Sequence, residues 1–180
     1  SDAFLTPDGD ANFTYWIDSD LTEELTITGK ATLSNADGIL TDGPLTLKDA
    51  TLTLTGNNED GGEEAIRAGR SDEDITIQNS TVTIAGTNAE GNFFNFGIRC
   101  GNLTVADSTL DVKVGGSAIV ADEMEASGAG TVITAETDAS EEQDYYALEL
   151  DELTLRDGLV LVESKVNESK TAKIARPEQA

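Results

Sequence analysis

Single alternation of apolar and polar residues runs along most of the chain. The run Leu25-Thr26-Ile27 returns as Leu45-Thr46-Leu47, Ile75-Thr76-Ile77, Leu103-Thr104-Val105 and Leu153-Thr154-Leu155. Met124-Glu125-Ala126 is a degenerate copy, so successive starts fall 20, 30, 28, 21 and 29 residues apart. A second alternating run follows each: Thr32-Leu33, Thr51-Leu52-Thr53-Leu54, Thr81-Val82-Thr83-Ile84, Thr109-Leu110-Asp111-Val112, Thr131-Val132 and Leu159-Val160. A third closes each unit: Gly38-Ile39-Leu40, Ala65-Ile66-Arg67-Ala68, Gly97-Ile98-Arg99-Cys100, Ala118-Ile119-Val120-Ala121 and Ala147-Leu148-Glu149-Leu150, with Lys173-Ile174-Ala175 completing the last. β-Branched residues or Leu at every second position, with Gly, Asn, Asp or Ser between the runs, predict strands and exclude a helical period.

A β-sandwich also alternates, but it does not require equivalent residues to recur through six consecutive units. A solenoid does, because each unit packs only against its neighbours. The expectation is therefore an all-β chain of about six three-strand coils. Leu25, Leu45, Ile75, Leu103, Met124 and Leu153 stack inside it about 4.8 Å apart, with the intervening Thr outside. The pattern resembles the single-stranded right-handed parallel β-helix of the pectin-lyase-like superfamily, over residues 21–176. Right-handedness comes from that resemblance alone. The expected organisation is an N-terminal cap at 1–20, holding Phe4, Phe13, Tyr15, Trp16 and Ile17, then coils at 21–163. Residues 164–180 would be the last strand with a C-terminal cap or linker. Between the first two runs the bend residue reads Gly29, Asp49, Asn79, Asp107, Gly128 and Asp157. No two aspartates fall on adjacent units, as stacking requires, and a side-chain ladder is the favoured reading of this column over a row of metal ligands.

Charge narrows the partners. The 180 residues carry 11 Lys+Arg against 35 Asp+Glu, a net charge of −24, with no histidine. Nucleic acid and anionic membrane are excluded as partners, since phosphate binding needs Lys and Arg to neutralise charge. Without histidine there is no His-activated nucleophile, and the polygalacturonase arrangement is excluded. Cys100 has no partner for a disulfide within the chain and is read as a packing residue. No run of 18 apolar residues predicts a membrane span, and the chain opens without a basic, apolar signal segment.

Candidate chemistry sits in the connection between the second and third runs, which varies most in length. It is long in the second unit (Gly56 to Glu64) and the third (Gly86 to Phe96), short in the fourth (Gly115-Gly116-Ser117) and long again in the fifth (Glu136 to Tyr146). This order predicts a notch over the fourth unit, flanked by Phe93, Phe94 and Phe96 on one side and by Tyr145 and Tyr146 on the other. Such a groove suits an extended glycan, with ring faces against sugars. The competing reading folds Phe94, Phe96 and Tyr146 back over the side of the coil. Arg67 and Arg99 share one outward position on adjacent units. They would either clamp an acidic sugar or pair with Glu63, Glu64 or Glu149. Asn57, Glu59, Asp60, Glu63 and Glu64 form the densest oxygen cluster and the candidate calcium site. Asp8-Gly9-Asp10-Ala11-Asn12 begins like an EF-hand loop but departs from it at Phe13 and Ser19. The outward threonines suggest β-propensity rather than ice binding, since Glu125 and Asp111 interrupt their rows.

The repeat style resembles extracellular bacterial β-helix proteins, including a carbohydrate-binding family that the resemblance associates with calcium. The implied function is a non-catalytic polysaccharide- or host-glycan-binding module, secreted or at the cell surface, monomeric or part of a larger surface protein. The alternatives are a structural adhesin stalk and a calcium-dependent polysaccharide lyase with Arg67 or Arg99 as base. No catalytic residue is assigned.

Overall fold

A computed structural model describes residues 3–5, 10–13, 16–20, 22–36, 38–56, 64–91, 93–164 and 172–177. All regular structure among them is strand. A leading set comprises β1 (Ala3–Leu5), β2 (Asp10–Phe13) and β3 (Trp16–Ser19). The first unit follows as β4 (Leu25–Ala36) and β5 (Gly38–Thr41), and the second as β6 (Leu45–Gly56) and β7 (Glu64–Ala68). The third is β8 (Ile75–Gln78), β9 (Thr81–Gly86) and β10 (Phe96–Arg99), and the fourth opens with β11 (Asn102–Ala106) and β12 (Thr109–Val114). Two strands, β13 (Ser117–Ser127) and β15 (Leu148–Arg156), each carry the third run of one unit into the first run of the next, and β14 (Val132–Thr137), β16 (Leu159–Ser164) and β17 (Ala172–Pro177) complete the order. The 17 strands form one parallel sheet in which each run pairs with the same run of its neighbours, a solenoid-like arrangement that is not closed.

Register follows the sequence pattern. Leu25 pairs with Leu45, Leu45 with Ile75, Ile75 with Leu103, Leu103 with Met124 and Met124 with Leu153, so the degenerate copy takes its place. A second inward column is Leu33, Leu54, Ile84, Val112 and Ala135, and a third is Ile39, Ile66, Ile98, Ile119 and Leu148. These side chains are buried. Period-two alternation puts the apolar residues of these columns on one face, and stacking like on like fills the interior.

The bend column is a backbone device. Gly29, Asp49, Asn79, Asp107, Gly128 and Asp157 all have positive φ, from 47° at Asn79 to 97° at Gly128. Gly, Asn and Asp tolerate this left-handed geometry best, which explains their recurrence there. The Asn79 amide donates to Asp49 Oδ1 at 2.7 Å, a rung of the expected ladder. Just inside the bend runs a buried hydroxyl column that the sequence reading missed. Ser80 Oγ accepts from Ala50 N at 3.0 Å, Ser108 Oγ from Ser80 N at 3.0 Å, and Thr131 Oγ1 from Ser108 N at 3.2 Å. Each hydroxyl donates to a nearby carbonyl, of Gln78, Ala106 and Ser127 respectively. The recurring Asn79-Ser80-Thr81 and Asp107-Ser108-Thr109 was the available signal.

Two expectations of register need correcting. In the fifth unit Ile133, not Val132, pairs with Leu110 and turns inward, because Ala129 and Gly130 lengthen the bend and Thr131 takes the hydroxyl position. In the last unit Ile174 pairs with Leu150, so Ala172 continues the column of Leu148. The segment expected as a cap supplies β1, β2 and β3, which pair in parallel with Leu25–Ile27, Lys30–Leu33 and Gly38–Thr41; it adds a further set of strands to the sheet. Its residue Tyr15 lies outside the described residues.

Candidate functional site

The outward position after each third-run isoleucine forms the column Leu40, Arg67, Arg99, Val120 and Glu149. Two guanidinium groups on adjacent strands repel unless an anion separates them. Glu64, at the start of β7 and only 5% exposed, supplies it. Its Oε2 accepts from Arg67 Nη1 at 3.1 Å and its Oε1 from Arg99 Nη1 at 3.0 Å. One carboxylate thus holds both arginines, whose side chains stay 32% and 37% exposed, and the trio carries one net positive charge. Among the described residues Arg67 Nε is buried and meets no hydrogen-bond partner.

Phe96 pairs with Glu64 across the sheet and extends the cluster. The Arg99 guanidinium lies 4.5 Å from its ring centroid, and the edge of Tyr145 meets it with centroids 5.9 Å apart and planes at 82°. Guanidinium over a ring and an edge-to-face ring pair are both favourable contacts. Glu64, Arg67, Arg99, Phe96 and Tyr145 therefore form one continuous patch: half-exposed rings and guanidinium groups around a buried carboxylate.

The notch expected over the fourth unit is bridged by its neighbours. Asn88, in the third unit's loop, donates through its side-chain amide to Gly115 O at 3.1 Å and to Asp138 Oδ1 at 3.1 Å. Asp138, in the fifth unit, also accepts from Asn88 N and Ala89 N, both at 2.9 Å. The loop leans across because the short connection opens with two glycines, Gly115 and Gly116. A Cβ on Gly115 would stand 2.6 Å from Phe93 Cβ, and one on Gly116 would fall inside the carbonyl of Asn95. The Phe96–Tyr145 contact spans the same gap.

Of the residues expected to line a groove, Phe93, Phe96, Tyr145 and Tyr146 are half-buried at its edge. Phe94 is wholly buried and offers no surface to a ligand; it packs in the core, as the competing reading held. Tyr146 is anchored through its backbone N–H to Ser117 Oγ at 3.0 Å. Beside this bridge a pocket of about 220 Å³ is lined by Thr87, Ala89, Lys113, Val114, Glu136 and Thr137.

Asn57, Glu59, Asp60 and Glu63 of the proposed calcium cluster lie outside the described residues. Glu64, the remaining member, is committed through both oxygens to guanidinium groups, which leaves it poorly placed as a metal ligand. Among the described residues no group of three or more Cys, Asp or Glu side chains is placed to hold a metal ion. Asp10 to Phe13 of the EF-hand-like segment form strand β2. Cys100 is buried, and burial together with the nearby Asp74 pushes its thiol up to about 12, which makes it inert as a nucleophile near neutral pH. Among the described residues no helix is long and apolar enough to cross a membrane. Comparison with family models, with curated proteins and with solved structures finds no match.

Proposed function

We propose that this chain is a non-catalytic, extracellular glycan-binding module built on a right-handed parallel β-helix of the pectin-lyase-like kind, and that it binds through the patch of Arg67, Arg99, Phe96 and Tyr145. The observation that carries the reading is the contact series Arg99–Phe96–Tyr145 anchored on Glu64. It presents ring faces and hydrogen-bond donors together on a rigid sheet, the combination that sugar rings and their hydroxyl or carboxylate groups require. Both arginines share one buried carboxylate, which favours a binding role over service as the base of a lyase. A calcium contribution rests on the Asn57 to Glu63 loop.

Affinity electrophoresis through gels containing neutral or acidic polysaccharides tests the reading. Retardation by at least one polysaccharide is expected, with loss in Tyr145→Ala and Phe96→Ala and no unsaturated sugar product released. The bridged notch favours one second reading, a spacer stalk whose loops serve only to cover its flank. A spacer would migrate unchanged in every gel, and that result would sink the glycan proposal.

A further inference from the structure

The loop that leans over the fourth unit borders a cavity that the glycan patch does not use. Three N–H groups, of Asn88 N, Asn88 Nδ2 and Ala89 N, close on the Asp138 carboxylate and commit both of its oxygens. Beside that span lies the pocket of about 220 Å³, between the loop and the ends of β12 and β14. Most of its wall is carbon. Val114 and Thr137 are buried there, and the Thr137 hydroxyl is turned to the Ala139 N–H at 3.1 Å. Clefts that take a whole ligand run to roughly 300–1,000 Å³, so a hollow of this size suits one short alkyl chain.

Two further ionised side chains belong to the lining. Glu136 stands opposite Lys113 in the register of β12 and β14; its side chain is 11% exposed, and Lys113 Nζ lies 3.8 Å from its Oε2. The same ammonium lies 3.9 Å from Asp111 Oδ2, so it sits between two carboxylates at a separation too long for a hydrogen bond to either. The Lys113 side chain is 50% exposed, and an ion pair that reaches solvent in this way contributes little. Asp111 Oδ1 is buried and among the described residues meets no hydrogen-bond partner, so Asp111 has capacity for the ammonium when it leaves Glu136. Lys113 is thus a weakly held counter-ion over a buried carboxylate, beside an apolar hollow. With Asp111, Glu136 and Asp138 set against Lys113 alone, in a chain of charge −24, the site favours a cation over an anion.

We propose that this cavity binds an alkylammonium group, with its chain against Ala89, Val114 and Thr137 and its charge on Glu136 in place of Lys113, which moves to Asp111. A free small amine and the lysine side chain of a partner protein share that chemistry. The site is independent of the glycan reading and uses none of its residues.

Amide-resolved NMR titration of the full chain tests it, with n-butylammonium as the probe and n-butanol as its uncharged match. Saturable shifts at the amides of Ala89, Val114 and Thr137 are expected with the amine, and butanol should bind about tenfold more weakly. Lys113→Met removes the competing counter-ion and should tighten amine binding severalfold, whereas Glu136→Gln should weaken it by about tenfold. The blocked lysine N-acetyl-lysine methylamide separates the two sources: saturable binding of it as well marks a protein lysine as the occupant, and its exclusion while the amine binds marks a free amine. Amine shifts that never saturate, butanol binding as tightly as the amine, unchanged amine binding in Glu136→Gln, or weaker amine binding in Lys113→Met would each overturn the proposal. The comparison of amine with alcohol on the wild-type chain decides the matter if a variant does not fold.

Discussion

Two corners of the same repeating unit behave differently. The bend between the first and second runs keeps one residue at positive φ in every unit, and in the third, fourth and fifth a buried hydroxyl follows that satisfies the backbone of the preceding unit. The connection between the second and third runs ranges from two glycines and a serine to loops that lean over neighbouring units. The first corner is bonded from unit to unit, so a change in length there must be absorbed locally. The two-residue lengthening at Ala129-Gly130 shows how, since Thr131 swings in to restore the hydroxyl. The second corner carries no such column and is free to vary, and the patch of arginines and aromatic rings gathers there. Uniformity marks the corner that sets register, and variation marks the corner that offers chemistry.

The largest expected test of this contrast is Gly116→Ala, in the variable corner. Its Cβ would overlap the Asn95 carbonyl, a backbone group that cannot step aside, so a loss of roughly 3 kcal/mol in urea unfolding is expected. A loss well below that would mean the third unit's loop does not rest on the short connection. Glu64→Ala comes next. It leaves two guanidinium groups on adjacent strands with no carboxylate between them, and about 2 kcal/mol should be lost, less than for a fully buried trio because both arginines reach solvent. Arg67→Ala in the Glu64→Ala background should recover part of that loss, and a double variant no more stable than Glu64→Ala would break the shared-anion account. Ser108→Ala, in the uniform corner, removes the acceptor of the buried Ser80 N–H and should lower stability by about 1 kcal/mol. Amide exchange at Ser80 should rise with it, and unchanged exchange there would argue that the hydroxyl column is incidental.

Much of the architecture was legible in the residues because a period of two is a direct consequence of strand geometry. Leu25, Leu45, Ile75, Leu103, Met124 and Leu153 could be aligned without coordinates, as could the bend residues, whose types betray a positive φ. The register of the fifth unit was not, since its bend is two residues longer and Val132 and Ile133 are equally apolar. At the site, the adjacency of Arg67 and Arg99 followed from the repeat, and Glu64 was among the partners foreseen for them. Phe94 was misplaced because Phe93, Phe94 and Phe96 look alike in sequence, and loop backbone decides which ring turns inward. The bridging by Asn88 and Asp138, 50 residues apart, depends on loop conformation that no periodicity encodes.

The hydroxyl column also has a direction. Ala50 is served by Ser80, Ser80 by Ser108 and Ser108 by Thr131, so each of these units has its bend completed by the one that follows it. A ribosome delivers the chain in the same order. A growing chain would thus hold its newest unit with an unanswered amide until the next emerges, and closure would trail synthesis by one unit, like a zip whose slider always sits one tooth behind the hand.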